Sequence, residues 1–153
     1  MILKVYIGSD HGGYDMKEHL KGTVEGLGYQ VTDLGAYSKD PVDYPDIAFL
    51  IAERVSHEPE ALGIMVDGAG VGSAMTANKV PGVRAAACYD TFTARNSREH
   101  NDANMLTLGG RVIGLGTAEE IVKVWLSISF LGGRHSRRVD KIMAVEKKYL
   151  HQP

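Results

Sequence analysis

The 153-residue chain has room for one domain and little of a second core. Apolar residues make up 44% and charged residues 24%, a globular and not a disordered composition. With 17 Lys and Arg against 19 Asp and Glu the net charge is −2, which argues against bulk nucleic-acid binding, and the one cysteine, Cys88, excludes an intrachain disulfide.

In chain order, short apolar runs bounded by turn residues alternate with helical patterns. A strand is predicted over 3–8, then a helix over 15–27 with Met16, Leu20, Val24 and Leu27 on one stripe and Asp15 with Glu18 as a capping pair. A second strand covers 29–34 and a helix 46–55. A third strand covers 62–66 and a short helix 73–79. A fourth strand spans 84–88, followed by a helix over 91–100. A fifth strand spans 104–108. Thr117-Ala-Glu-Glu120 reads as a capping box opening an apolar helix to about residue 130, and a last helix covers 137–150. This alternation predicts one α/β domain over 1–153, with about five mainly parallel strands covered by helices on both faces, a three-layer Rossmann-like α/β/α arrangement. No apolar stretch reaches the roughly 18 residues of a membrane span. The N-terminal run 1–7 has no basic leader region or cleavage site, so a cytoplasmic protein without membrane contact is expected.

Most of the 18 glycines punctuate strand ends, and in parallel sheets ligands bind at the carboxyl ends of strands. Asp10-His11-Gly12-Gly13 follows the first strand, where paired glycines allow close approach to a ligand and His11 can polarise an oxygen; the alternative is a solvated tight turn. Asp67-Gly68-Ala69-Gly70-Val71-Gly72 follows the third strand. Its alternating glycines suit a nest of backbone N–H groups for an oxyanion, with Asp67 beside it; the alternative for Asp67 is a helix or loop cap. Ser73 breaks the dinucleotide fingerprint, and the missing Gly-Lys-Ser/Thr excludes a P-loop. His100, in Arg98–Asp102, is placed for acid–base work. Arg134, Arg137 and Arg138 concentrate positive charge suited to phosphate, or form a solvated helix start. Cys88 ends an apolar run and reads as a small buried hydrophobe. No histidine, cysteine or carboxylate spacing matches a metal site, so no metal is expected.

In their order along the chain these pieces resemble the ribose-5-phosphate isomerase B family, which includes the galactose-6-phosphate isomerase subunits. The matching segments are Gly8-Ser-Asp-His-Gly-Gly13, Asp43-Tyr-Pro45, the GxGVG loop with Ala77-Asn-Lys79, Pro81-Gly-Val-Arg84, Arg98–Asp102, and Gly132-Gly-Arg-His135 with Arg138. The resemblance implies cofactor-free interconversion of a phosphorylated aldose and ketose. It implies substrate contacts from Asp10, His11, Tyr44 and Asn101, ring opening by His100, and phosphate binding by Arg134 and Arg138. It further implies enediolate stabilisation by the loop of Gly68, Gly70 and Gly72, and a homodimer or dimer of dimers with sites at the subunit interface.

Two positions depart from the family pattern. Many members carry a cysteine base where this chain has Asp67, and a threonine where it has Ala69; the glutamate of another branch is replaced by Ser73. The expectation is therefore an isomerase with Asp67 as base. The alternatives are a non-catalytic or altered-specificity subunit, similar to the A-type subunit of galactose-6-phosphate isomerase, or a nucleotide-binding domain.

Overall fold

Alternation of side chains across apolar strands fixes the sheet as a central layer. In β1 (Lys4–Ser9), Val5 and Ile7 enter the core on one side and Tyr6 enters the core on the other. The computed structural model describes residues 3–150. In it β2 (Gln30–Asp33), β3 (Leu62–Asp67), β4 (Ala85–Ala87) and β5 (Met105–Gly109) join β1 in one parallel sheet of order β2-β1-β3-β5-β4. The register pairs Ser9 with Val66 and Asp67 with Gly109, so the carboxyl ends of the three central strands are level.

Helices α1 (Tyr14–Gly26), α4 (Thr91–Glu99) and α5 (Leu115–Ser127) cover one face. Leu20, Val24, Ala94, Ile121 and Trp125 are buried there, and the Trp125 indole N–H donates to Ser97 Oγ at 3.1 Å. Helices α2 (Tyr44–His57) and α3 (Val71–Ala77) cover the other face through Ala48, Ile51, Ala52, Val55 and Ala77. The last helix, α6 (Arg134–Tyr149), buries only His135 and Val139. Its far end is tied down by the Glu146 carboxylate, which accepts from the Gly82 N–H at 3.1 Å. The expected three-layer α/β/α architecture with its five-stranded parallel sheet is the one observed.

Helix starts are where the sequence reading departs from the structure. Helices α2, α3 and α6 each begin two or three residues earlier than expected, at Tyr44, Val71 and Arg134. Asp15 and Glu18 do not cap α1. The chain enters that helix directly from a 3₁₀ turn over His11–Gly13, while Asp15 pairs with Lys39 at 3.0 Å and Glu18 with Lys21 at 3.1 Å. Thr117 is no cap either, because α5 starts at Leu115 behind Gly114. The same helix stops at Ser127, short of residue 130, where Ile128 turns extended and its carbonyl accepts from Arg98 Nε at 3.1 Å.

Candidate active site

Neighbouring strands β1 and β3 send their connections to opposite faces of the sheet, which opens a crevice at their carboxyl ends. Two of the predicted loops meet there. Asp10 is buried and caps the 3₁₀ turn, its Oδ1 accepting from the Gly13 N–H at 2.9 Å. Its backbone N–H donates to the Val66 carbonyl at 3.2 Å, which holds the turn against β3. Burial pushes the Asp10 carboxyl above its ordinary value; the Gly13 hydrogen bond opposes this, and the nearby charge of Asp67 adds to it. His11 accepts through Nδ1 from the Val42 N–H at 3.2 Å, so its neutral ring carries the proton on Nε2.

Asp67 ends β3 and is 3% exposed. Its Oδ1 accepts from the Gly70 N–H, and its Oδ2 accepts from Ser73 Oγ at 2.7 Å and from the Ser73 N–H at 3.3 Å. Both readings of this residue therefore converge on one place: Asp67 braces the turn into α3 and also puts a carboxylate at the strand tip. Gly70 makes that turn with φ +81°, a left-handed conformation that favours glycine. Thr107 Oγ1, the Tyr89 hydroxyl and the Arg111 N–H bond the carbonyls of Gly70, Ala69 and Gly68 at 2.7, 2.7 and 3.0 Å. The loop is thus rigid. The Gly70 N–H is spent on Asp67, but the N–H groups of Val71 and Gly72 lie in the first turn of α3, where helix geometry leaves them without partners in the helix. Tyr44 opens α2, and its ring lies against Gly72, where any side chain would overlap it.

The remaining predicted residues are elsewhere. Helix α4 runs antiparallel to the strands, so His100 and Asn101 emerge at the amino end of β5, where Asn104 bonds the Arg84 and Gly63 backbones at 3.0 Å. Nine helical residues, or five strand residues, place them about 15 Å from Asp67. Arg134 and Arg138 join them, one turn apart on exposed positions of α6. His135 stacks on His100 with ring centroids 4.0 Å apart and planes 14° apart, and the Leu131 N–H donates to the Glu99 carbonyl at 3.1 Å. Among the described residues no carboxylate pairs with Arg134 or Arg138, so both guanidinium groups are available to an anion.

Within one chain, then, two clusters of candidate site residues face opposite ends of the sheet. One combines a carboxylate pair with a glycine-lined turn, and the other combines a histidine with unpaired arginines. A model of the family described as "Ribose/Galactose Isomerase" matches residues 5–142. The chain belongs to the ribose/galactose isomerase family. Among other family members, ribose-5-phosphate isomerase B of Escherichia coli is 39% identical over 95% of this chain and 97% of its own. D-erythrulose-4-phosphate isomerase of Pectobacterium atrosepticum is 38% identical over 99% of this chain and 100% of its own. The solved ribose-5-phosphate isomerase B of Clostridium thermocellum superposes with a TM-score of 0.94 at 49% identity, covering 97% of this chain and 100% of the other.

Three residues of this family member were not singled out from its sequence. Arg111 follows β5 in the position where ligand loops are expected, and its side chain passes within 3.7 Å of where a Gly68 side chain would begin. The rule that picked the loops after β1 and β3 also covers the Gly109-Gly110-Arg111 loop. Asn96 and His135, which touch His100 directly, carried no comparable signal.

Proposed function

We propose that this chain is an aldose–ketose isomerase of a phosphorylated sugar, of the ribose 5-phosphate/ribulose 5-phosphate type, working without a cofactor. The opened sugar presents a C–H beside its carbonyl. The base takes that proton, the electron pair forms the enediolate, and the base, exchanging in part with solvent, returns a proton to the neighbouring carbon while a second proton passes between the two oxygens. Asp67 is the base, and the N–H groups of Gly68, Val71 and Gly72 face the developing oxyanion, while the Gly70 N–H, expected among them, is held by Asp67 instead. Asp10, His11, Tyr44 and Asn101 contact the sugar, His100 assists ring opening, in which the ring oxygen gains a proton as the anomeric hydroxyl loses one, and Arg134 with Arg138 grips the phosphate.

The two half-sites at opposite ends of one sheet carry a second part of the reading: the working unit is a homodimer or a dimer of dimers, in which each site takes one half from each subunit. An apolar cleft of about 930 Å³ between β4, α4 and α6 offers the contact surface and reaches Asn96 and Asn101. Phe92, Val145 and Tyr149 on it are 74%, 61% and 67% exposed in the single chain, more apolar surface than a solvated face needs.

The single observation carrying the chemistry is the buried Asp67 carboxylate at a strand tip, against a glycine turn, in a family of sugar-phosphate isomerases. The test is solvent-deuterium exchange on a panel of four-, five- and six-carbon sugar phosphates. Wild type is expected to incorporate deuterium and isomerise one of them, and Asp67→Asn to lose at least roughly 10²-fold. Undiminished exchange in Asp67→Asn removes Asp67 as the base. The three hydrogen bonds on Asp67 favour a second reading, a sugar-phosphate-binding subunit with a structural aspartate; binding without exchange on every sugar would establish it.

A further inference from the structure

We propose that Asn96, braced by Asn101, is a positioning residue that holds His100 with its proton on Nε2 and so presents that N–H to the sugar. The inference rests on the ring-opening role given to His100 above. It follows from which atoms can face each other. Asn101 Nδ2 lies 3.4 Å from the Asn96 backbone carbonyl and 3.0 Å from Asn96 Oδ1. A carbonyl only accepts, so the Asn101 atom in that corner is its amide nitrogen. An amide nitrogen only donates, so the Asn96 atom facing it is Oδ1. Asn96 Nδ2 is then left toward His100 Nδ1, at 3.0 Å. Nδ1 must accept from it, and the neutral ring carries its one hydrogen on Nε2. Turning the Asn96 amide alone sets two NH₂ groups against each other. Turning both amides sets the Asn101 oxygen against a backbone carbonyl.

The backbone and a second ring fix the imidazole plane. His100 and Asn96 are four residues apart on the last turn of α4, where the His100 N–H donates to the Asn96 carbonyl at 2.9 Å. His135, buried at the start of α6, stacks on the outer face of the ring. Burial holds His135 below the usual histidine range, and the Arg134 and Arg138 guanidinium groups push it the same way against Glu99. The neutral form of the stacking partner is therefore favoured, and that form puts no cation against the His100 ring. Asparagine is also a poor helix former, because its amide competes for backbone groups. At position 96 that amide is committed to its helical neighbours.

The tautomer is read directly by ¹⁵N NMR of the imidazoles in the full-length protein at pH 8, without substrate, with His100 assigned from the H100Q spectrum. The expected wild-type pattern is a protonated Nε2 and an unprotonated Nδ1. Asn96→Leu removes the donor, and its two His100 signals should move toward the average of both tautomers while kcat falls roughly tenfold at nearly constant KM. Asn96→Asp supplies an acceptor and should reverse the pattern, with kcat falling by roughly 10²-fold, the contribution of a general acid. A protonated Nδ1 in wild type, or His100 signals unmoved in Asn96→Leu, overturns the proposal; the wild-type spectrum decides it even if a variant fails to fold. The expected spectra in a protein that isomerises no sugar phosphate would uphold the positioning role and refute the catalytic reading beneath it.

Discussion

Replacing Lys17 with methionine tests the packing that supports the Asp10-His11 turn. Lys17 is a fully buried cation on α1. Its ammonium donates to Asp33 Oδ1 at 3.0 Å and to the Ala36 carbonyl. The Ala36 N–H and Gly35 carbonyl in turn bond the Ser9 backbone at 2.7 Å, next to Asp10. Methionine fills the same volume but donates nothing. The buried Ala36 carbonyl loses its partner, at about 1–3 kcal/mol. Asp33 suffers less, because it keeps Lys21 at 2.9 Å and the Gly35 N–H at 2.8 Å. No longer desolvating an ammonium offsets part of the loss, leaving a net of about 2 kcal/mol, or a fall in Tm of roughly 4–8 °C for a chain of this size. Asp33→Asn should be worse, about 3–5 kcal/mol, since it leaves a buried cation with only the more distant Glu18 carboxylate at 3.5 Å.

The pH dependence of the same pair has a fixed sign. Burial raises the Asp33 carboxyl, but the Gly35 N–H, Lys21 and Lys17 outweigh it and hold the group below the usual carboxylate range. A folded value below the unfolded one means the contribution is complete above about pH 4 and is lost as pH falls through the folded value. Urea titrations at one protein concentration should therefore show a gap between wild type and Lys17→Met at pH 7 that narrows below about pH 4 as the Asp33 share is lost, while the share of the Ala36 carbonyl remains. Lys17→Met as stable as wild type, or Asp33→Asn better tolerated than Lys17→Met, would refute the reasoning.

Gly13→Ala would drive a methyl group into the Val66 carbonyl of β3, so the turn must move; a loss of about 1–3 kcal/mol in urea unfolding and a lower kcat/KM are expected. Arg134→Ala and Arg138→Ala each remove an exposed guanidinium proposed to grip the phosphate, so steady-state kinetics should show KM raised roughly 10–100-fold with Tm nearly unchanged. Cys88 is 1% exposed, and burial pushes its thiol up, so iodoacetamide at pH 8 should leave the folded protein unmodified and active. Cys88→Ala should keep kcat within about twofold, and its inactivation would mean that the thiol and not Asp67 serves the reaction.

Local patterns carry the sheet, because each strand is a short run and all but β4 close on or just before a glycine or aspartate, and the rule that ligand loops follow strands points to Asp10, His11 and Asp67. Helix starts were harder to read. Asp15 and Thr117 have good capping chemistry, but α1 continues from the turn that Asp10 caps and α5 begins at Leu115, so both side chains fall inside their helices and not at the starts. Lys17 looks like an ordinary surface residue of an amphipathic helix until β2 brings Asp33 to it. The separation of His100 from Asp67 depends on the antiparallel run of α4, which spacing alone does not reveal. Asn96 was within reach, four residues before a histidine on one helix, but its role depends on the side-chain orientation of Asn101.

Mixing two inactive variants tests most directly whether one sugar-phosphate site is built from both half-sites. Asp67→Asn and His100→Asn are each expected to be inactive. After unfolding and refolding together in equal amounts, half of the dimers pair one of each, and one of the two sites in such a dimer is intact, so about one quarter of wild-type isomerase activity should return. Recovery near that level establishes a shared site. Activity no greater than the sum of the two variants alone would place the complete site within one chain and contradict the proposed assembly.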